Sequence, residues 1–248
     1  MSIKEDKAWF ESWFDSDYYH ILYNKRNELE ASAFIQNLMS FLNTPTDHLL
    51  LDLACGRGRH TDQIAKLGYH ITGIDLSQSN IEYCKSRQLP NAEFYVQDMR
   101  KVFRTNYFNL ILNLFTSFGY FNSKHENEMV LESVSRSLKN DGIFVLDYLN
   151  VTKALKSLPS EENYQMNGIQ FSINKVRENP FVRKYIDVED GEEQHHFYEQ
   201  VSILNKNDLL SMFDKQKLKI IAIFGDYQLS AFDEEHSDRL ILIAQKNK

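Results

Sequence analysis

The chain has 248 residues, 42% of them apolar and 13% aromatic, enough to bury the core of one large domain. Its 35 acidic against 28 basic residues give a formal charge of −7, which disfavours nucleic-acid partners, since these are usually met by a basic field that neutralises phosphates. Only two cysteines occur, Cys55 and Cys84, without metal-ligand spacing, so no metal is expected and a reduced compartment is.

The opening Met1-Ser2-Ile3-Lys4-Glu5-Asp6 has no apolar signal core. No stretch approaches the roughly 20 apolar residues of a membrane span. The expectation is a cytoplasmic protein with no membrane partner. Residues 1–46 read as an N-terminal helical lid. Trp9, Phe10, Trp13 and Phe14 recur at helical spacing, followed by Tyr18, Tyr19 and Tyr23, and a second run places Ala31, Phe34, Ile35, Leu38 and Met39 on one face.

After Thr44-Pro45-Thr46 the rhythm changes to strand and helix in alternation. Strands are expected at His48–Leu53, Tyr69–Asp75, Ala92–Gln97, Phe108–Leu114 and Ile143–Leu149, the last entered by a turn at Asp141-Gly142. Helices are expected at Arg59–Leu67, from the cap Ser77 to Gln88, and at Lys124–Leu138. Short apolar strands alternating with helices predict an α/β fold over residues 47–150, a doubly wound and mostly parallel sheet.

Residues 151–203 break this pattern and read as an antiparallel β insertion over one end of the sheet, with Asp190-Gly191 as a hairpin turn. Residues 204–248 close the chain with a helix at Asn207–Gln216 and strands at Leu218–Phe224 and Arg239–Ala244. No linker separates these parts, so residues 1–248 are expected to form a single domain.

The chemically informative stretch is Asp52-Leu53-Ala54-Cys55-Gly56-Arg57-Gly58, a buried strand entering a two-glycine turn that opens a helix. Such a turn lets backbone approach a ligand closely, at the strand ends where open α/β sheets bind ligands. Asp75-Leu76 ends the next strand, where an acid can accept bonds from ribose hydroxyls. Gln97-Asp98-Met99 ends the third, where an acid can meet an adenine amino group. Helix capping is the alternative use of each acid.

These residues resemble the class I S-adenosylmethionine-dependent methyltransferases, which have a Rossmann-like fold of seven strands with the last antiparallel. Asp52 to Gly58 looks like the family's first motif, with Ala54 where glycine is frequent; Asp75 looks like its ribose-binding acid, and Gln97-Asp98-Met99 like its adenine-flanking segment. Asn113-Leu114-Phe115-Thr116-Ser117-Phe118-Gly119-Tyr120-Phe121 looks like the segment facing the methionine part and the acceptor. The resemblance implies Asn113 and Phe115 at the cofactor, and Tyr18 and Arg26 at its carboxylate, an exposed ion pair being the rival for Arg26. Within the family the chain looks most like a bacterial small-molecule group whose acceptor is generally unassigned.

S-adenosylmethionine carries an activated methyl, so positioning can supply much of the rate, and a base is needed only where the acceptor must lose a proton. His60 and Tyr120 are the catalytic candidates, His60 equally fitting a plain helix-start residue. Phe118, Tyr148, His195, His196 and Tyr198 are further acceptor-side candidates, and the aromatics predict an acceptor with a planar or apolar part. An NAD-dependent oxidoreductase predicts a third glycine where Thr61 stands. A non-catalytic S-adenosylmethionine binder keeps the same cofactor residues. A DNA amino-methylating enzyme predicts a Pro-Pro segment where Leu114-Phe115 stands.

Overall fold

A computed structural model of the chain describes residues 9–23 and 28–247. The opening hexapeptide and Arg26 lie outside the described residues. The described residues divide into two compact units, one built from residues 9–23 and 157–203, the other from 28–156 and 204–247.

The larger unit opens with α3 (Glu28–Leu42), which α1 (Trp9–Trp13) and α2 (Asp17–Leu22) precede in the smaller one. Strands β1 (Leu49–Leu53), β2 (His70–Asp75), β3 (Ala92–Val96), β4 (Phe108–Asn113) and β5 (Leu138–Leu149) alternate with α4 (Arg59–Lys66), α5 (Gln78–Ser86) and α6 (Lys124–Ser137). After α7 (Val151–Lys156) and the smaller unit's strands β6 to β9, the chain returns with α8 (Lys206–Lys215), β10 (Leu218–Phe224) and β11 (Arg239–Lys246). The seven strands of this unit lie in the order β10-β11-β5-β4-β1-β2-β3. Pairing is parallel from β3 to β5, and β11 runs antiparallel to both neighbours. The expected seven-stranded, doubly wound sheet is present.

Winding reverses between β1 and β4, whose carboxyl ends therefore leave a crevice, the position where such sheets take ligands. One face of the sheet is sealed by Phe34, Ile35 and Leu38 of α3 and Ile64 of α4, packed on Leu50, Leu112 and Ile243. Each fully buried side chain of this kind contributes about 1.5–3 kcal/mol. Ser77 caps α5 by accepting from Asn80 N at 3.0 Å, and capping boxes fix the starts of α6 (Ser123, Glu126) and α8 (Asn205, Asp208).

Two differences from the sequence reading have physical causes. The fifth strand starts at Leu138, not after a turn at Asp141-Gly142. Asp141 takes φ +61°, and the pairing slips from Phe108↔Leu138 to Leu110↔Ile143, so the extra residues bulge within the strand. Second, residues 1–46 do not form one element group. The apolar face of α3 belongs to the larger unit's core, and only the aromatic helices before it belong to the smaller unit.

That smaller unit carries a four-stranded antiparallel sheet of β6 (Ser160–Met166), β7 (Ile169–Glu178), β8 (Phe181–Asp190) and β9 (Glu193–Ser202). Its last hairpin turns at Gly191 (φ +62°), as the Asp-Gly pair predicts. Trp13 is fully buried, 4.8 Å from the Phe197 ring, and its Nε1 donates to Glu199 Oε1 at 2.7 Å. Among the described residues no helix is long and apolar enough to cross a membrane.

Candidate functional site

The turn after β1 is held from three sides. Cys55 N donates to Ile74 O and Gly58 N to Cys55 O, both at 2.9 Å, which closes the turn on itself and on β2. Gly56 N donates to Asp75 Oδ2 at 2.8 Å, and Ser77 N to Asp75 Oδ1 at 2.9 Å. From the C-cap of α5, Arg87 bonds Arg57 O at 2.8 Å and pairs with Asp62. Ala54, Gly56 and Gly58 all have left-handed backbone, at φ +61°, +55° and +76°. A Cβ on Gly56 would meet nothing within 4 Å, so its surface is open, whereas one on Gly58 would lie 2.8 Å from Arg87 NH2.

Beneath the turn, Asp52 is buried and accepts the Thr61 hydroxyl at 2.6 Å. Burial lifts its carboxyl to about 6 and the Asp75 charge adds to the rise, against the pull of the Thr61 bond. Asn113, at the end of β4, is fully buried and donates from Nδ2 to Leu53 O at 2.8 Å. Its Oδ1 has no hydrogen-bond partner among the described residues. A buried acceptor in that state costs about 1–3 kcal/mol until a donor meets it.

Gln97, Asp98 and Met99 form the half-exposed rim after β3, and Leu76 is exposed beside Asp75. Asp98 is anchored by Arg100, which donates to it from the backbone N (2.9 Å), Nε (3.0 and 3.1 Å) and NH2 (2.7 Å). Burial pushes that carboxyl up, but the Arg100 bonds and charge hold it below its ordinary value.

The segment after β4 starts with two consecutive left-handed residues, Phe115 (φ +61°) and Thr116 (φ +57°). Phe115 N donates to Asp147 Oδ2 at 2.8 Å and Thr116 N to Asp147 O at 2.9 Å. Arg239 donates to Asp147 Oδ1 (2.7 Å) and Thr116 Oγ1 (2.8 Å), and Tyr227 OH to Asp147 Oδ2 (3.1 Å). Burial lowers the Arg239 pKa, yet the Asp147 charge leaves it net raised. The Arg59 guanidinium lies 4.8 Å from the Phe115 ring, which ties this segment to the turn after β1.

His60 is half-buried, its Nε2 facing Arg59 NH2 at 3.2 Å, and Tyr120 is half-buried beside Arg239. Two acceptor-side candidates sit deeper than the sequence reading places them. Phe118 and Tyr148 are fully buried and pack edge-on at 6.1 Å, so they form core under the segment and do not line an open pocket. Tyr18 belongs to the smaller unit, where its OH donates to Asp190 Oδ2 at 3.2 Å and its ring lies 4.8 Å from His195. His195 is half-buried and His196 exposed on β9, in the alternation a strand imposes; Tyr198 is exposed on the same strand.

The sequence reading missed Arg87, Arg100, Asp147, Tyr227 and Arg239. The one available signal was an acid, Asp147, inside the apolar run Phe144-Val145-Leu146-Asp147-Tyr148-Leu149; a charge there requires a buried partner.

A seven-stranded sheet with an antiparallel last strand, a two-glycine turn bonded to an acid on the next strand, and a topological switch point beside that turn define a nucleotide-cofactor enzyme of the methyltransferase class. A family model described as "Methyltransferase domain" matches residues 47–218; the chain belongs to that family and is an S-adenosylmethionine-dependent methyltransferase. It is 25% identical over 219 residues to the YqeM protein of Bacillus subtilis (strain 168), covering 82% of this chain and 86% of that one. It is 29% identical over 135 residues to dTDP-3-amino-3,4,6-trideoxy-alpha-D-glucopyranose N,N-dimethyltransferase of Streptomyces venezuelae, covering 53% of this chain and 56% of that enzyme. The crystal structure of an S-adenosylmethionine-dependent methyltransferase from Clostridium acetobutylicum ATCC 824 has the same fold, with a TM-score of 0.78, 21% identity, and 93% and 96% of the two chains covered.

Proposed function

We propose that the chain methylates a small molecule, and that the first acceptor class to test is the amino group of a nucleotide-linked aminosugar. S-adenosylmethionine supplies a methyl already activated on a sulfonium, so holding the reactants in line and excluding water carry much of the rate. The residues fit that cofactor. Gly56 leaves the turn open to close approach, and the orphaned Asn113 Oδ1 is an acceptor suited to an ammonium group.

The observation that carries the cofactor placement is the Gly56–Asp75 bond, because it puts a carboxylate beside the open turn. A carboxylate has about four acceptor directions, so its two backbone bonds are compatible with holding ribose hydroxyls. Leu76 and Met99 then flank the adenine, and Arg100 fixes the Asp98 segment that carries Met99. Asp52 and Asn113 face the methionine end. The aminosugar class is supported by the match to the Streptomyces venezuelae enzyme and by a second one, 28% identical over 105 residues, to dTDP-3-amino-3,6-dideoxy-alpha-D-glucopyranose N,N-dimethyltransferase of Streptomyces fradiae. An amine sheds a proton on methylation; His60 is the candidate to receive it, and Tyr120 the candidate to hold the amine by accepting its N–H at the phenol oxygen.

The test has two stages. Calorimetric titration with S-adenosylhomocysteine, with NADH as control, is expected to give micromolar binding of the first and none of the second. Methyl-labelled S-adenosylmethionine is then offered with a dTDP-aminosugar, a catechol and a short RNA. Label in the aminosugar supports the reading; label confined to the catechol or the RNA overturns the acceptor class and leaves the cofactor assignment standing.

A further inference from the structure

The turn after β4 is strained, and a buried ion pair holds it. Neither Phe115 nor Thr116 is glycine, and left-handed backbone crowds the Cβ of each against the following carbonyl oxygen. One residue answers for both. Asp147 takes the Phe115 N–H on its side chain and the Thr116 N–H on its carbonyl. Arg239, from the neighbouring antiparallel strand, locks that carboxylate and reaches the Thr116 hydroxyl at 2.8 Å. Arg239 is 16% and Asp147 1% exposed at the side chain. A buried pair of this kind is weak evidence for stability, because apolar residues of similar volume often replace it without loss. Its effect here is on shape. The Phe115 ring lies 4.8 Å from the Arg59 guanidinium of α4 and 5.8 Å from that of Arg239, so the ring held by the ion pair also meets the helix that opens after the turn.

We propose that Arg239 and Asp147 are positioning residues for the cofactor: they hold Phe115 and Thr116 in left-handed backbone, which presets one wall for the amino-acid end of S-adenosylmethionine. The proposal rests on the cofactor placement given above. Neither residue touches the reacting atoms; both act through the Phe115–Thr116 backbone.

The experiment compares two ligands that share the adenosine and differ at the amino-acid end. Wild type and the variants Arg239→Gln, Thr116→Ala and Thr116→Ser are titrated with S-adenosylhomocysteine and with 5′-methylthioadenosine. Arg239→Gln and Thr116→Ala are expected to weaken S-adenosylhomocysteine about tenfold while methylthioadenosine changes less than about twofold, and Thr116→Ser is expected to restore wild-type binding. Equal weakening of both ligands, or of neither, overturns the proposal. Should Arg239→Gln fail to fold, the Thr116 pair decides, since the serine and alanine variants differ from each other only by the hydroxyl. A wild-type protein that binds neither ligand overturns the cofactor placement itself, an outcome distinct from the others.

Discussion

Asp75 Oδ2 accepts the backbone N–H of Gly56 at 2.8 Å, so the acid expected at the ribose also fixes the turn that approaches it. Its other oxygen accepts from Ser77 N, at the cap of the next helix. One carboxylate thereby sets the spacing between the ends of β1 and β2. Asp75→Ala removes the ribose acceptor and loosens the turn together, and S-adenosylhomocysteine affinity should fall by roughly 1–3 kcal/mol. Calorimetry on the folded variant checks this; unchanged affinity removes Asp75 from the site.

Asp52 gives the fold a pH dependence whose sign follows from burial. Its carboxyl is raised from 3.8 to about 6, mainly by burial. Between roughly pH 4 and 6 the folded chain keeps a proton that the unfolded chain has lost, so stability falls as pH rises through that window. At about 1.4 kcal/mol per unit the loss is of the order of 3 kcal/mol by neutral pH. Asp52→Asn should abolish this part of the slope while keeping an acceptor for Thr61. Urea midpoints at pH 5 and pH 7.5 decide the matter. A wild type and variant with the same pH dependence would show that Asp52 does not titrate there.

The doubly wound sheet was legible because apolar strands, glycine stops and the Ser77 cap are local signals that all point to one architecture. The left-handed turn after β1 and its bond to Asp75 were legible for the same reason: the glycines and acids sit at strand ends, and strand ends are visible in sequence. What was not legible depends on contacts between distant segments. Arg87 and Arg57 are 30 positions apart, and Arg239 and Thr116 are 123; no periodicity brings such pairs together. Phe118 and Tyr148 read as pocket aromatics because a sequence shows that a ring is present and not which way it faces. The bulge at Asp141 was likewise hidden, since an Asp-Gly pair signals a turn whether the chain reverses there or merely bends.

The two glycines of the turn after β1 should respond differently to alanine. At Gly56 (φ +55°) a Cβ has open space, so Gly56→Ala should cost only the left-handed penalty of about 1–2 kcal/mol. Its effect on S-adenosylhomocysteine should be much larger, because the methyl occupies the ligand's approach. At Gly58 (φ +76°) the Cβ meets Arg87 NH2 at 2.8 Å and Cys84 Sγ at 3.1 Å. Arg87 cannot swing aside without releasing Arg57 O, so Gly58→Ala should lose about 2 kcal/mol or more of stability. Thermal melts with and without ligand separate the two. If Gly56→Ala binds normally, the open face of the turn is not where the cofactor lies.

Ala54 offers the converse experiment. It is the position of the first motif where glycine is frequent, and it takes φ +61°. Glycine there relieves about 1–2 kcal/mol of left-handed strain and forfeits about 0.5–1 kcal/mol through the greater freedom of the unfolded chain. The first effect exceeds the second, so Ala54→Gly should stabilise the fold by about 0.5–1 kcal/mol. For a chain of this size that is a rise in Tm of about 1–4 °C. Ala54 contributes no polar side-chain atom to the turn, so S-adenosylhomocysteine affinity should stay within about twofold. A lower Tm would mean that the bonds from Cys55 N and Gly58 N hold the turn so firmly that only the unfolded-state effect of glycine remains.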